Sequence, residues 1–345
     1  MKKTLLFIGL LMMMLFTAAC SDQKDETKAK EGDSKKSDEV SGEMHFYTSQ
    51  PEEDAQALVD AFNKKYPDVT VNVFRSGTEE VMNKIQAENK AGDIQADVLL
   101  VADAVTFESL KKDDLLLNYK SDEAASIPEE FVDSDGAYAG TKVMATALIV
   151  NKKKVEKPEA SWKVLTDGKS KEESIMPSPL YSGAAAYNLG VFTRNADFGW
   201  DFYEKLNQNG TAVVQGNGAV LKSVAGGEKS YGMIVDFLAA RAEKDGSPVE
   251  LIYPEEGVPV ITEPIGILKN TKQEKAAKLF VDFVLSEEGQ NLAAEIGYTP
   301  IRKGIKAPDG LKSIEEIKVL EAPVKELFEN RDQDKEEFGK LFKAS

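Results

Sequence analysis

Apolar and polar positions change period several times along the chain. Residues 44–50, MHFYTSQ, alternate and are rich in strand formers. Residues 51–67, PEEDAQALVDAFNKKYP, then read as a helix. Pro51 suits a first turn, acids fill that turn, and Ala57, Leu58, Ala61 and Phe62 recur at helical spacing. A second strand, VTVNVF (69–74), precedes a second helix, TEEVMNKIQAENKAG (78–92). A third strand, ADVLLVA (96–102), is apolar enough to be buried on both faces. Strands alternating with helices predict a parallel α/β sheet.

Further on, MATALIVNKKKV (144–155) reads as a strand leaving this first unit. Residues 174–192 read as strand, loop and helix, 198–210 as a helix, and 219–246 as a helix, a Gly-Gly turn and a strand passing into a helix. Two strands around a Glu-Glu-Gly turn (249–270) lead to a helix pair ending at Gly297. The tail, 312–342, has helical periodicity with scattered charge. No internal repeat of fixed period is present.

The N-terminus follows another logic. Met1-Lys2-Lys3, an apolar run over 5–16 and Thr17-Ala18-Ala19-Cys20 predict a secretory signal (1–19), too short to span a bilayer permanently. Cys20, the single cysteine, stands where a bacterial lipoprotein signal is cut and lipidated, although Thr17 occupies a position that usually carries Leu. With no second cysteine there is no internal disulfide. Residues 20–43 are expected to be a lipidated Cys followed by a disordered tether, since 21–42 carry mixed charge, no aromatic residue and only Val40 as an aliphatic residue larger than Ala. Stable anchoring then requires more than one acyl chain on Cys20.

About 300 residues remain, more than one core usually serves, so two lobes are expected. The net charge is −16, and loss of Lys2 and Lys3 leaves −18. That sign argues against nucleic acid or anionic lipid as a partner. Enzyme chemistry finds no support. There is one histidine, no cysteine in the mature body, and no HExxH, CxxC or GxxxxGK[ST] spacing, so no catalytic, metal or cofactor site is expected.

Five segments in this order, behind such a signal and tether, carry a resemblance. They are FYTSQPEEDAQALVDAFNKKYPDVTVNVF, QADVLLVAD, SPLYSGAAAYNLG, YPEEGVPVITEPIGILKN and AAKLFVDFVLSEEGQNLAAEIGYTPIRKG. Over residues 44–303 the chain resembles the substrate-binding proteins of bacterial ABC importers, with the type-II periplasmic binding protein fold. The branch is the one holding ferric-ion, phosphonate, phosphorylated-sugar and thiamine binders. The resemblance implies two Rossmann-like α/β lobes, joined by crossing hinge strands near 142–151 and 258–265, that close over a central cleft. Lobe one would be 44–145 with 260–345, and lobe two 146–259.

Open α/β sheets bind ligands outside the carboxyl ends of their strands. By position, four loops fall there: Thr48-Ser49-Gln50 before the first helix, Ser76-Gly77-Thr78 before the second, Asp103 after the third strand, and Tyr181-Ser182-Gly183-Ala184 opening a later helix. Hydroxyls beside a helix start suit phosphate, phosphonate, sulfate or carboxylate oxygens, although each loop taken alone also fits an ordinary cap. Asp236 ends an apolar strand, where an acid is costly unless it faces the cleft or a partner, and Glu256 lies in the turn PEEGVP. The resemblance implies that acids at such places bond ligand hydroxyl or amino groups.

Ferric ion is the alternative cargo. Iron-binding relatives use an adjacent tyrosine pair, where this chain has VDFLAA with Phe237. Pro51, not His, follows YTSQ, and His45 lies inside the first strand. Tyr47, Tyr181, Tyr187 and Tyr231 remain as other phenolates. The expectation is therefore a monomeric, lipid-anchored receptor on the extracytoplasmic face of the cell membrane. It would present a small anionic solute, a phosphonate or a phosphorylated small molecule, to an ABC permease and its ATPase.

Overall fold

A computed structural model of the chain describes residues 40–344. The expected signal, Cys20 and the tether as far as residue 39 lie outside the described residues. The chain begins β1 (Gly42–Thr48), α1 (Glu52–Lys65), β2 (Val69–Arg75), α2 (Thr78–Ala91), β3 (Val98–Leu100), α3 (Ala104–Lys112) and β4 (Leu116–Leu117). A long strand β5 (Ala139–Asn151) leads to β6 (Ser174–Pro177), α4 (Gly183–Arg194), α5 (Gly199–Gln208), β7 (Ala212–Val214), α6 (Asn217–Ala225), β8 (Tyr231–Val235), α7 (Asp236–Lys244) and β9 (Val249–Ile252). The return strand β10 (Val258–Leu268) is followed by α8 (Glu274–Leu285), α9 (Glu287–Ile296), β11 (Thr299–Pro300), β12 (Val319–Leu320) and α10 (Val324–Phe342).

Local chemistry sets these boundaries. α1 places Glu52, Glu53 and Asp54 in its first turn and Lys64 and Lys65 in its last, opposing the helix dipole at both ends. α2 stops where Gly92 turns left-handed at φ 78°. The strands follow the order β2-β1-β3-β10-β5-β8-β6-β7, with β4 and β12 on β10 and β9 and β11 on β5. Parallel pairing within β2-β1-β3 and within β8-β6-β7 gives two α/β halves, one per lobe.

The halves are joined by β5 and β10. All thirteen residues of β5 are buried. Its first part pairs antiparallel with β10, and its second part pairs with β8 and β9 in the other half. The β5–β10 register shifts between Thr262 and Pro264, where proline has no N–H to give the ladder. At this irregularity the Glu263 carbonyl accepts from the Thr141 hydroxyl at 2.6 Å. The Glu263 carboxylate meets Lys142 Nζ at 2.6 Å, with both side chains 5% exposed or less.

Each half has its own apolar centre. Phe46, Phe62 and Phe280 anchor the first, and Trp162, Phe192 and Tyr203 the second. Each such side chain contributes about 1.5–3 kcal/mol by leaving water. A smaller cluster with Met144, Phe237, Ile261 and Tyr298 lies where the halves meet. The tail differs from the division drawn from sequence, which gave everything after residue 260 to lobe one. α10 buries Leu327 and Phe338 in the second core, because the faces of α4 and α5 would otherwise leave apolar surface in water.

Asp236 opens α7 at 3% exposure. Burial raises its pKa to about 7, against the pull of hydrogen bonds from Tyr253 Oη at 2.9 Å and the Phe237 amide at 2.8 Å. Below pH 7 the folded protein therefore holds this acid neutral, whereas the unfolded chain ionises it near pH 4. The associated stability is complete below about pH 4 and is lost as pH rises through about 7, on the order of 4 kcal/mol.

Two outcomes follow from these buried charges. Asp236→Asn should flatten the decline in unfolding free energy between about pH 4 and 7 relative to the parent in urea titrations; parallel pH profiles would contradict the burial argument. Lys142→Met, which strands the Glu263 carboxylate, should cost about 3–5 kcal/mol, and adding Glu263→Leu should recover most of it. Equal costs for the single and double variants in the same titration would show that the pair is not the source.

Candidate functional site

Loops at the carboxyl ends of strands from both halves enclose a cavity of about 350 Å³. Ser49 and Gln50 enter after β1, Gly77 and Thr78 after β2, and Ala102 after β3. From the other half come Tyr181–Ala184 by way of β6 and the run from Gln215 to Ala219 after β7. Met144 and Glu263 of the crossing strands form the floor with Tyr298. A second cavity, about 330 Å³, lies beside β4, β10 and α8. Its lining includes none of these loops, so strand-end geometry favours the first as the solute site.

Helix starts dominate the cavity wall. In α4 the Ser182 hydroxyl accepts from the Ala185 amide at 3.3 Å, and the Ser182 carbonyl takes the Ala186 amide. The N–H groups of Gly183 and Ala184 are then first-turn donors that the helix cannot satisfy. α6 repeats this: the Gly216 carbonyl takes Ala219 and Val220, leaving Asn217 and Gly218. The Asn217 side chain ties the two starts together, donating to Ser182 Oγ at 3.4 Å and accepting from the Val235 amide at 3.1 Å.

The start of α2 comes from the other lobe and closes against α4. The Glu79 amide donates to the Tyr181 carbonyl at 3.2 Å. A Cβ on Gly183 would lie 2.5 Å from the Ala102 carbonyl oxygen, and one on Gly77 2.6 Å from the Tyr181 ring. Only glycine lets the lobes approach this closely at these two points.

Charge in the cavity is uneven. Arg75 lines it and donates through Nε to the Gln50 carbonyl at 2.8 Å. The Gln50 side chain is 4% exposed, and its Oε1 has no hydrogen-bond partner among the described residues. Beside the cavity, Asp54 of α1 takes both terminal nitrogens of Arg241 from α7, at 2.9 and 3.1 Å, and the Tyr298 hydroxyl at 2.6 Å. Burial, together with Glu263 and Asp54, pushes the Tyr298 phenol well above its ordinary range, so that hydroxyl stays a donor.

Of the residues expected from sequence, Ser49, Gln50, Gly77, Thr78, Tyr181, Ser182, Gly183 and Ala184 line this cavity together. Five others do not. Thr48 is buried and donates its hydroxyl to the Leu100 carbonyl at 2.8 Å. Ser76 bonds Glu80 one turn along α2. Asp103 caps α3 and pairs with Arg331 at 2.8 Å. Asp236 is directed to Tyr253, behind Val235 and Phe237, which do line the cavity. Glu256 bonds Ser161 in a turn held by the Trp162 indole N–H, which donates to the Gly257 carbonyl at 2.8 Å. Glu263 of β10 and the Gly216-Asn217-Gly218 helix start line the cavity without being among the residues expected from sequence.

The tyrosines disperse as well. Tyr47 bonds Glu88 at 2.8 Å, its pKa pushed up to about 12 by burial and by that carboxylate. Tyr187 and Tyr231 pack against the second core, so of the four only Tyr181 lines the cavity. No helix among the described residues is long and apolar enough to cross a membrane.

Residues 57–319 match the family model described as bacterial extracellular solute-binding protein. A Salmonella typhimurium protein named as a putative 2-aminoethylphosphonate-binding periplasmic protein is 27% identical over 267 residues, 74% of this chain and 76% of its own. Two solved structures share the fold. The periplasmic binding protein AfuA from Actinobacillus pleuropneumoniae, solved with fructose-6-phosphate, aligns with TM-score 0.81 at 24% identity, over 88% of this chain and 99% of its own. Iron-bound HitA from Pseudomonas aeruginosa aligns with TM-score 0.76 at 22% identity, over 86% and 99%. Members of this family are binding proteins rather than enzymes. A two-lobed α/β body with a cleft at its strand ends, matched by this model over most of its length, belongs to the bacterial extracellular solute-binding proteins, the receptors of ABC importers.

Proposed function

We propose that this receptor captures a small solute with a phosphonate or phosphate end, held by main-chain amides of α4 and α6. The observation that carries this reading is the convergence of two helix starts on one cavity, each with two donors its helix cannot use. Such ends carry partial positive charge and suit tetrahedral oxyanions. Arg75 adds a full charge on the same cavity. The chain's net charge of −16 does not oppose this, because a local field decides what enters a cleft.

The other end of the solute would face Gln50 and Glu263. A buried amide oxygen without a partner costs free energy until a donor reaches it, so the solute's far end should carry an amine or hydroxyl. Both solutes named for the relatives, 2-aminoethylphosphonate and fructose-6-phosphate, join a phosphorus oxyanion to such donors. Ferric ion fits less well. It needs several anionic oxygens, whereas Tyr298 gives its hydroxyl to Asp54 and Glu263 is paired with Lys142, leaving Tyr181.

In this reading the lobes hinge on β5 and β10. The receptor works as a monomer, lipidated on Cys20 at the outer face of the membrane, and passes its solute to the permease and its ATPase.

Ser182→Asp tests the cradle, because aspartate can still cap α4 while placing a negative charge at the anion site. Charge repulsion at about 4 Å in a partly wet site is on the order of 4 kcal/mol. Calorimetric affinity for 2-aminoethylphosphonate or fructose 6-phosphate, whichever the parent binds, should fall at least ~30-fold, or about 2 kcal/mol, with the melting temperature little changed. An unchanged affinity would locate the anion elsewhere. Tight binding of Fe³⁺ with no response to either phosphorus compound would replace this reading with the iron one.

A further inference from the structure

The C-terminal helix carries a group of charges that the solute site does not use. On its second-lobe side, α10 buries Leu327 and Phe338 in the core of Trp162, Phe192 and Tyr203, and Asp334 pairs with Arg194 of α4 at 2.6 Å. On its first-lobe side one apolar residue of α3, Val105, joins that core, and Lys112 lies over the Phe328 ring. The principal contacts there are ionic: Arg331 reaches Asp103 at 2.8 Å and Glu79 at 3.0 Å. Lys335 Nζ lies 2.9 Å from the other Glu79 oxygen. The Arg331 side chain is 13% exposed, and Asp103 is fully buried. Burial works against the charge on Arg331, but Asp103 and Glu79 outweigh it and hold the guanidinium protonated.

Both acids stand at helix starts of the first lobe. Asp103 caps α3. Glu79 is the second residue of α2, directly after Gly77 and Thr78 of the cavity wall, and its amide makes the 3.2 Å contact with Tyr181 across the lobes. Arg331 thus grips the segment that meets the α4 start, while touching nothing in the cavity itself.

A helix attached to two lobes must release one of them when the hinge opens. Pulling Leu327 and Phe338 into water would expose apolar surface with nothing gained in return. Separating the ion pairs returns both charges to full hydration, which offsets most of the lost attraction. The ionic side is therefore the one that lets go.

From this we infer that α10 is a strap fixed to the second lobe. Arg331 is its positioning residue: through Glu79 and Asp103 it sets the α2 start against the α4 start and biases the lobes toward the shut cleft. The inference is independent of the solute's identity, and its test needs none.

Amide hydrogen exchange on the ligand-free full chain reads it directly. In Arg331→Met, exchange over residues 77–82 and 181–186 should quicken at least ~tenfold, while α5 and β1 keep the parent rates. Arg331→Lys, which restores the charge without the two-pronged grip, should return part of the protection. Should Arg331→Met fail to fold, Lys335→Met leaves Arg331 in place and should quicken residues 77–82 by roughly threefold. Faster exchange in α5 with residues 77–82 at the parent rate would show that Arg331 merely packs α10, overturning the inference. Parent rates at 77–82 in both folded variants would overturn it equally.

Discussion

An α-helix cannot satisfy the N–H groups of its own first turn, and two such turns open onto one cavity here. Much of the surrounding architecture serves to hold them there. β6 and β7 are neighbours in parallel, so the helices that follow them start side by side. Asn217 fixes the pair, using its two side-chain polar atoms for Ser182 and the Val235 amide. Donors held in this way need little reorganisation when an oxyanion arrives, which separates a binding site from a pair of ordinary caps.

The second constraint is that the opposing lobe must come close without filling the cavity. Gly77 and Gly183 allow contact at backbone distance. The polar contacts between lobes lie around the cavity rather than in it: Asp54 with Arg241 on one flank, Glu79 with Arg331 and Lys335 on another. Ionic contacts suit a surface that must open, since water replaces what the partner withdraws. Permanent burial is concentrated in β5 and β10, where Lys142 and Glu263 neutralise each other at the bulge.

The fold was legible because its strands and helices obey local rules. Period-two runs followed by acid-started helices predicted β1, α1, β2 and α2 close to their observed bounds, and the crossing strands fell near β5 and β10. Three misreadings have physical causes. β7 is only three residues long, and α6 begins at Asn217 rather than at the more apolar Ala219, so periodicity assigns no element to residues 211–218. This stretch carries the same order of strand, glycine and helix as the loops at Gly77 and Gly183, which is the signal the sequence offers. For Asp236 and Glu256, neither local sequence nor the resemblance gives the side chain's direction, which is tertiary: Tyr253 and Ser161 claim them. Glu263 looks ordinary in sequence, and what marks it is a break in strand register.

The central claim is that main-chain amides at the starts of α4 and α6 grip the anionic end of the solute. Amide-resolved nuclear magnetic resonance during titration with 2-aminoethylphosphonate or fructose 6-phosphate tests it most directly. The account predicts that the largest downfield proton shifts fall on Gly183, Ala184, Asn217 and Gly218, as expected when an N–H acquires a charged acceptor. Saturable binding that leaves these four amides in place, with the shifts elsewhere, would contradict it.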